Sequence, residues 1–441
     1  MILDREKIKP EIFKISSKLA EAGYKSYLVG GAVRDIIFGN VPNDYDILTD
    51  ARCSEIARIF KSVVPYGMKH GTVLVVIGRE PYDVTSYNDG EPAPLSLEND
   101  LAIRDFTINA MACDLNGLEV IDLFGGLEDY AKKRIKCVVS AEARFVKDPL
   151  RILRAVRQAA KFGFAIEERT LESAKNLSHL ITAAAPERIM NELVKLLGSP
   201  QNGKYLKCLL SINAWHEIFY KYYQNVIFPG GEKNFFTLNG ECYKIFDENS
   251  AKRYGFKLAL LIIFSLYRAA GDKIRFYEYK KLVKALFELK FSKNDFDEIS
   301  ALVFLAYYHL SEKGRGEGWH GDIIKVKEAM ISHRELTKQK IDAREVFLLC
   351  SLFGRSTGDS ALEAGFAAAV KTAEKAVTER HPVYIEDLDI NGDDIKSAFG
   401  MQAGNRIGEA LKYARSQAVI DPSCNNKEAL KNKIAQFLKK S

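Results

Sequence analysis

The sequence of 441 residues lacks the patterns that mark several large protein classes. Its seven cysteines are scattered without C-x-x-C spacing, which disfavours a disulfide framework and a zinc site and predicts reduced thiols in a cytoplasm. No apolar run follows the amino terminus, so no signal peptide is predicted. The longest apolar run, from Leu258 to Leu266, is too short to span a bilayer and predicts a buried core helix with no membrane contact.

Several catalytic signatures are also absent. The chain has no G-x-x-x-x-G-K-[ST] phosphate loop, no H-E-x-x-H zinc helix, no nucleophile elbow and no internal repeat. Hydrophobic residues make up 47% of the chain, which predicts a substantial folded core divided into about two to four domains. The formal net charge of +6 is compatible with a polyanionic partner.

The most informative stretch runs from Tyr27 to Asp50. Its first three residues form an apolar run that predicts a buried strand. Gly30 and Gly31 then allow a tight turn and a close approach of a ligand to the backbone. Residues 32–38 predict a short helix that opens on this turn, with Arg34 in its first turn. A helix amino terminus behind glycines favours bound phosphate.

Two carboxylates follow, in the segment from Asn43 to Leu48. If this segment is a strand, Asp44 and Asp46 lie on the same face, because side chains alternate with a period of two. Neighbouring carboxylates repel one another unless a cation lies between them, and Mg²⁺ is commonly held by carboxylates and substrate phosphates. The alternative interpretation is an ordinary glycine turn and a surface strand that carries two acids.

A second motif lies between Ile103 and Ala112, and residues 104–112 are predicted to be helical. Arg104 suits a phosphate because its planar guanidinium is always charged and can bind in a bidentate manner. Asp105 and Asn109, four residues apart, can fix the turn or meet a ribose hydroxyl. Taken alone, the Asp-x-Thr pattern would indicate no more than a helix cap.

A third motif opens a predicted amphipathic helix over residues 148–162, in which Asp148, Arg151, Arg154 and Arg157 recur every three residues. Cytosine and adenine each present an amino donor beside a ring-nitrogen acceptor, which a carboxylate and a guanidinium can pair. Uracil and guanine present a carbonyl and an N–H there, so the same pair would reject them. The alternative interpretation is a solvated basic face.

Together these motifs resemble the DNA polymerase beta nucleotidyltransferase superfamily. More closely, they resemble the class II tRNA nucleotidyltransferases (CCA-adding enzymes) and their bacterial poly(A) polymerase relatives. The segment from Tyr66 to Val73 is more similar to CCA-adding enzymes, and Pro186 to Leu193 is similar to the helix that closes their neck domain. The resemblance implies template-independent addition of CC or CCA to the 3′ end of tRNA, from CTP and ATP, with release of pyrophosphate.

The resemblance also implies residue roles. Asp44 and Asp46 would be the catalytic residues and would bind Mg²⁺, with Asp83 as a third carboxylate by analogy with the superfamily. The residues expected to bind the nucleotide are Gly31, Arg34, Arg104, Asp148, Arg151, Arg154 and Arg157. Two alternatives remain. One is a poly(A) polymerase that acts on RNA 3′ ends. The other is a non-enzymatic, helical RNA-binding protein, which would leave the two aspartates without a role.

The fold implied is an elongated, multidomain one: an α/β, polymerase beta-like head followed by an all-α neck, body and tail. The expected boundaries are 1–140 for the head, 141–200 for the neck, 201–353 for the body and 354–441 for the tail, with helix breaks at 228–231 and 354–358. The body and tail would bind tRNA. Residues 252–290 carry ten Lys or Arg against three Asp or Glu, which fits a solvated face or an RNA contact. The sequence leaves the oligomeric state open.

Three departures from the family pattern affect the predicted activity. Ile103 replaces the first arginine of the second motif, and Lys147 replaces a glutamate beside Asp148. The segment from Ser86 to Ile103 is short, has no Lys or Arg, and contains Pro92 and Pro94. In the family this segment is the loop needed for adding the terminal A. Its shortness and stiffness favour a CC-adding enzyme, with a second enzyme supplying A, although surface loops also vary in length without consequence.

Overall fold

The computed structural model describes residues 1–65, 67–90, 93–200, 202–223, 238–249, 251–270, 290–310, 321–337 and 340–440. The chain divides into two compact units, residues 1–218 and 219–441. Tyr66, Pro92, the predicted break at 228–231 and residues 271–289 of the basic stretch lie outside the described residues. The division into four domains stays a prediction.

A seven-stranded mixed sheet forms the centre of the first unit. Its strands are β1 (Ser26–Val29), β2 (Asp46–Thr49), β3 (Val63–Val64), β4 (Thr72–Ile77), β5 (Glu80–Ser86), β6 (Met111–Asp114) and β7 (Val120–Asp122). The strand order is β3-β4-β5-β2-β1-β6-β7, and every neighbouring pair is antiparallel except β2 and β5. The parallel pairing places Asp46, the first residue of β2, beside Asp83, the fourth residue of β5.

Helices cover both faces of this sheet. Those of the first unit are α1 (Pro10–Glu21), α2 (Gly31–Ile37), α3 (Cys53–Ile59), α4 (Leu97–Ile103), α5 (Gly126–Ala131), α6 (Ala141–Lys147), α7 (Leu150–Phe162), α8 (Glu168–Asn176), α9 (Pro186–Leu197), α10 (Asn202–Ser211) and α11 (Ala214–Tyr223). On β1, Leu28 packs into the core that includes α1, α2 and α3, whereas Val29 packs with Leu101 of α4 on the other face. This alternation follows from the period of two along a strand.

The local predictions for β1, α2 and the β4–β5 hairpin are confirmed. The prediction that residues 104–112 are helical is wrong. The helix α4 ends at Ile103, residues 107–109 form a single 3-10 turn, and the chain then enters β6. There Ala112 and Cys113 pair with Val29 and Leu28 of β1, so tertiary pairing with a buried strand overrides the local helical pattern.

Two smaller corrections concern candidate site residues. The strand β2 begins at Asp46, so Asp44 lies in the turn before it and not in the ladder. Asp148 lies between α6 and α7, with an extended backbone (φ −142°, ψ 94°), so it is not part of the helical stripe formed by the three arginines. The physical reason is Pro149, which disfavours the helical conformation for the residue that precedes it.

Beyond the head, α7 packs against α9 and α10, and the short strands β8 (Arg134–Ile135) and β9 (Ala165–Ile166) pair in parallel. The helix α7 buries one apolar face that includes Ile152, Val156 and Ala159. Its other side carries the arginines of the third motif. The amphipathic pattern of residues 150–162 therefore predicted both the helix and the face that it buries.

The second unit is helical throughout its described residues. Its helices are α12 (Gly240–Glu248), α13 (Tyr254–Ala270), α14 (Lys293–Leu310), α15 (Ile323–Thr337), α16 (Ala343–Thr357), α17 (Ser360–Thr378), α18 (Gly392–Phe399), α19 (Asn405–Ile420) and α20 (Lys427–Lys440). Residues 258–264 of α13 are buried, as predicted. The helix α16 runs through Gly354 and ends at Gly358, where φ is +78°. None of the helices among the described residues has the length and apolar character required to cross a membrane.

Candidate active site

Three carboxylates lie at the end of the sheet where β2 and β5 begin to run in parallel. Asp46 of β2 and Asp83 of β5 are direct register partners, and Asp44 lies two residues before Asp46. Burial raises the pKa of Asp46; the Arg104 guanidinium opposes that rise, and Asp83 and Asp44 add to it. Partial burial and the charge of Asp44 likewise raise the pKa of Asp83. The three carboxylates thus lie within one another's electrostatic field.

This acidic edge has the donor chemistry that Mg²⁺ prefers. All three donors are carboxylate oxygens. Besides burial, repulsion by the neighbouring carboxylates raises the pKa of Asp46 and Asp83, and a bound cation would oppose that repulsion. No set of three or more histidine, cysteine, aspartate or glutamate side chains forms a ready-made metal cage among the described residues. Mg²⁺ in phosphate-transfer sites is generally held by one or two carboxylates and completed by water and substrate phosphates.

The glycine turn lies beside this edge. Gly30 has φ +72° and ψ −130°, and its N–H donates to the Met111 carbonyl of β6 at 3.0 Å. A Cβ atom at Gly30 would lie 2.8 Å from Nη1 of Arg104 and 3.9 Å from Oδ2 of Asp46. Both the backbone angles and the close approach of the arginine require glycine at this position. The turn, the acidic edge and Arg104 therefore occupy one location.

Arg34, one turn into α2, is 5% exposed and is bound within the protein. Its Nε donates to Oδ1 of Asp35 at 2.8 Å, and its Nη1 donates to Oδ1 of Asn109. The guanidinium carbon lies 4.6 Å from the ring centroid of Phe162, at the end of α7. Arg34 thus joins the glycine turn to the second motif and to the neck helix.

Arg104 has one anchored side and one side that faces the turn. Its Nε and Nη2 donate to the same oxygen, Oδ2 of Asp100, at 3.0 and 2.9 Å. Its Nη1 points towards Gly30 and Asp46. The next residue, Asp105, is buried and accepts a 3.0 Å hydrogen bond from Nδ2 of Asn109, which fixes the turn of the second motif, one of the two roles that the sequence left open for this pair.

The third motif reaches the head through backbone and carboxylate contacts. Nη2 of Arg151 donates to the Ile103 carbonyl at 2.9 Å, whereas its Nε and Nη1 are buried without a hydrogen-bond partner within the described structure. Burial lowers the pKa of Arg151, and Asp105 and Asp148 oppose that shift. Oδ2 of Asp148 accepts a 3.1 Å hydrogen bond from Nη2 of Arg188 in α9. Unsatisfied donors next to a bound carboxylate are suited to a ligand that supplies acceptors.

Arg154 and Arg157 are bound to a glutamate that the sequence reasoning missed. Nε of Arg157 donates to Glu192 of α9, which is 6% exposed, and Nε of Arg154 lies 3.5 Å from the same carboxylate without a hydrogen bond. Nη1 of Arg154 also donates to Oδ2 of Asp105 at 3.3 Å. The sequence signal for this partner was the position of Glu192 beside apolar residues of the predicted helix over 186–193, because a buried acid requires a charged partner.

The predicted residues therefore fall into two groups. Asp44, Asp46, Gly31, Arg34 and Arg104 lie at the acidic edge and its glycine turn, whereas Asp148 and the three arginines lie just before α7 and on it. The two groups are joined where Arg151 and Arg154 contact the chain at the end of α4. Asp100, Arg188 and Glu192 were not predicted. For Asp100 the available signal was its position four residues before Arg104, which is the spacing of a helical ion pair.

Comparisons with known proteins agree with this geometry. A family model described as "Poly A polymerase head domain" matches residues 26–136, and one described as "Probable RNA and SrmB- binding site of polymerase A" matches residues 163–222. The CCA-adding enzyme of Lactococcus lactis subsp. cremoris (strain MG1363) is 40% identical over 215 residues, which cover 46% of this chain and 53% of that enzyme. The CCA-adding enzyme of Bacillus cytotoxicus is 41% identical over 217 residues, covering 47% and 54%. The matched region thus spans about half the length of these curated relatives.

Solved structures match over nearly the whole chain. The crystal structure of the Bacillus stearothermophilus CCA-adding enzyme in complex with CTP has a TM-score of 0.65 and 28% identity, and the match covers 98% of this chain and 100% of that one. The Thermotoga maritima CCA-adding enzyme complexed with tRNA_CCA has a TM-score of 0.63 and 20% identity, which shows a shared fold over 99% of this chain and 100% of that one. The predicted order of an α/β head followed by helical segments is confirmed.

Proposed function

We propose that this chain, which belongs to the class II tRNA nucleotidyltransferase family, adds nucleotides to the 3′ end of tRNA without a template. The 3′-hydroxyl of tRNA attacks the α-phosphorus of CTP; a phosphodiester bond forms and the bond to pyrophosphate breaks. The observation that carries this proposal is the acidic edge of Asp46, Asp83 and Asp44 beside the glycine turn and Arg104. The seven free cysteines support a cytoplasmic enzyme.

The acidic edge is the proposed site of bond formation. Asp44 and Asp46 would hold Mg²⁺, and Asp83, the register partner of Asp46, would be a further ligand by analogy with the superfamily. When bound, Mg²⁺ neutralises charge on the triphosphate and makes the attacking hydroxyl more acidic. The match of Asp44 and Asp46 to the family motif and the mutual electrostatic influence of the three carboxylates support this assignment. The requirement for Mg²⁺ is part of the same proposal.

The triphosphate would lie against the glycine turn. Gly31, the first residue of α2, can offer its backbone N–H, and Arg104 directs Nη1 towards the same place. Arg34 would stabilise the glycine turn and would not contact the phosphates directly, because its guanidinium is buried and bound to Asp35 and Asn109. Its charge still raises the local potential felt by an anion. Arg154 and Arg157 would add positive charge from the neck side.

The base would be read by Asp148 and Arg151. Asp148 can accept from the amino group of cytosine or adenine, and Arg151 can donate to the ring nitrogen with the N–H groups that have no partner in the described structure. The bond from Arg188 holds the Asp148 carboxylate in one orientation without removing its acceptor capacity. Selection would therefore reside in protein side chains, which removes the need for a nucleic-acid template.

Substrate choice separates this proposal from its alternatives. An enzyme that serves every tRNA must bind through shape and backbone, so its affinity should fall by at least about tenfold between about 50 and 200 mM salt. We expect CMP incorporation into tRNA that lacks its 3′ end and little into an unstructured RNA of equal length. Filter binding and gel analysis at each salt concentration measure both quantities. Equal use of the two RNAs with ATP would favour a poly(A) polymerase, and binding without incorporation would favour a non-enzymatic RNA-binding protein.

We further propose that the chain adds CC and leaves the terminal A to another enzyme. The segment between β5 and α4 is short and held at both ends: Leu95 donates its N–H to the Tyr87 carbonyl at 2.7 Å, and Nδ2 of Asn88 donates to the Asp50 carbonyl at 2.6 Å. Ile103, which stands where the family has arginine, lies at the end of α4. The described parts of this segment, tied down in this way, leave little freedom to reshape the base pocket from C to A.

Two tRNA substrates test this point in parallel. With tRNA that lacks its 3′ end and CTP, we expect two C additions. With tRNA that already ends in CC and ATP, we expect no extension during the time in which the first reaction finishes. Resolving the products at single-nucleotide resolution provides the readout, and the first reaction is the control for active protein. Efficient A addition to the second substrate would contradict the CC-only proposal and leave the family assignment intact.

A further inference from the structure

We infer that Asp100 is a positioning residue that sets the Arg104 guanidinium for the nucleotide's phosphates. The inference rests on the proposed function and adds a residue to which no role in the site has been assigned. Asp100 is 8% exposed, lies within α4 and does not touch the acidic edge directly. It acts through Arg104, the residue that does reach that edge.

The contacts between the two side chains fix the plane of the guanidinium. Nε and Nη2 of Arg104 both donate to Oδ2 of Asp100, at 3.0 and 2.9 Å, so two of its three nitrogens are bound on one side. The third nitrogen, Nη1, is then directed to the opposite side, where Gly30 and Asp46 lie. Charge-assisted bonds of this kind are among the stronger hydrogen bonds in proteins.

The helix that carries Asp100 is itself anchored to the sheet. Oγ of Ser96 accepts the N–H of Asn99 and caps the helix at its start. Leu101, next to Asp100, is fully buried and packs with Val29 of β1 and Leu48 of β2. Strand β1 ends directly before the glycine turn, and strand β2 begins at Asp46. Because Leu101 packs on both strands, the neighbouring Asp100 carboxylate is fixed relative to the site. An arginine with free side-chain rotation would lose entropy on binding the triphosphate, and Asp100 removes much of that cost.

Asp100→Asn tests this role with little change of shape, and Glu98→Gln is the matched control, since Glu98 is an exposed acid on the same helix. For the full chain, dissociation constants for CTP and for cytidine would be measured by competition against labelled CTP. We expect Asp100→Asn to bind CTP about tenfold more weakly and to bind cytidine as the wild type does, because the triphosphate alone meets Arg104. Glu98→Gln should match the wild type for both ligands.

A double-mutant cycle separates positioning from a general structural role. In an Arg104→Ala background, Asp100→Asn should cause no further loss of CTP affinity, because its partner is gone. Equal weakening of CTP and cytidine, or the same loss with and without Arg104, would overturn the inference. If the Asp100→Asn variant unfolds, Asp100→Glu replaces it as the test, because it keeps the charge but moves the carboxylate by one methylene. Unchanged CTP binding in Asp100→Glu would also overturn the inference. Failure of the wild type to bind CTP would instead count against the proposed function.

Discussion

Asp44→Ala is expected to stop CMP incorporation into tRNA while the protein remains folded. The residue is exposed and precedes β2, so its side chain contributes little to packing. Its loss also relieves repulsion, since the Asp44 charge raises the pKa of both Asp46 and Asp83. We therefore expect a change in stability within about 0.5 kcal/mol and a fall in turnover of more than about a hundredfold.

Single-turnover incorporation of labelled CMP, with thermal unfolding measured on the same preparations, tests this expectation. Glu119→Ala is a suitable control, because Glu119 is an exposed acid next to β7, at the far edge of the same sheet. Its activity should equal that of the wild type. Near-normal turnover in Asp44→Ala would remove the acidic edge from the mechanism. A variant that is inactive because it has unfolded would show a lower unfolding temperature, which the control measurement detects.

Asp148→Ala is expected to reduce both the rate with CTP and the discrimination against UTP and GTP. The carboxylate is held by Arg188 beside the buried Arg151, and the proposal assigns it the amino group of the base. A specific contact to a base edge contributes about 1–3 kcal/mol, so the ratio of kcat/KM for CTP to that for UTP should fall by about fivefold to 150-fold. Without the Asp148 carboxylate, the base site no longer has the acceptor that disfavours the carbonyl group of uracil or guanine.

The four nucleotides are to be compared one at a time on the same tRNA. Glu142→Ala is the control, since Glu142 is an exposed acid on α6, close in sequence to Asp148. It should preserve the wild-type order of nucleotides. If the order also survives in Asp148→Ala, base reading belongs to other groups. A loss of rate with unchanged selectivity would assign Asp148 a purely supporting role in the neck.

The elements that the sequence predicted well are those in which local pattern and tertiary structure agree. The apolar run before Gly30 is a buried strand, the glycines form the turn, and residues 72–86 form the hairpin. Each of these rests on periodicity or on backbone freedom, which nearby residues determine. The motifs likewise indicated the acidic edge, because Asp44 and Asp46 are close in sequence.

The errors occur where distant residues decide the outcome. Residues 111–114 became a strand because β1 offered an unpaired edge, which a helical pattern in the segment alone cannot reveal. Asp83 was named from the sequence only by analogy with the superfamily, and it meets Asp46 through the parallel pairing of β2 with β5, two strands separated by β3 and β4 in sequence. In the same way, Glu192 lies on a helix far along the chain from the arginines that it binds. Such contacts follow from the topology of the fold and not from spacing.

The placement of Arg34 shows a further limit of motif reading. Its position in the first turn of α2 suggested direct contact with phosphate, yet the side chain is buried and bound to Asp35, Asn109 and the ring of Phe162. The motif singled out Arg34, and the structure shows which contacts its side chain makes. Asp100 is the converse case: its spacing of four residues from Arg104 was a signal that was not used, and the bonds between the two side chains show the relation.

This chain is proposed to select C by its own side chains and to add it to tRNA. The most direct measurement incubates the full chain with Mg²⁺, all four nucleoside triphosphates and tRNA that lacks its 3′ end, and then sequences the product ends. We expect ends extended by two C residues, with A absent or rare and with no U or G. A ladder of A residues, a random mixture of the four nucleotides, or no extension by a folded and tRNA-bound protein would contradict it.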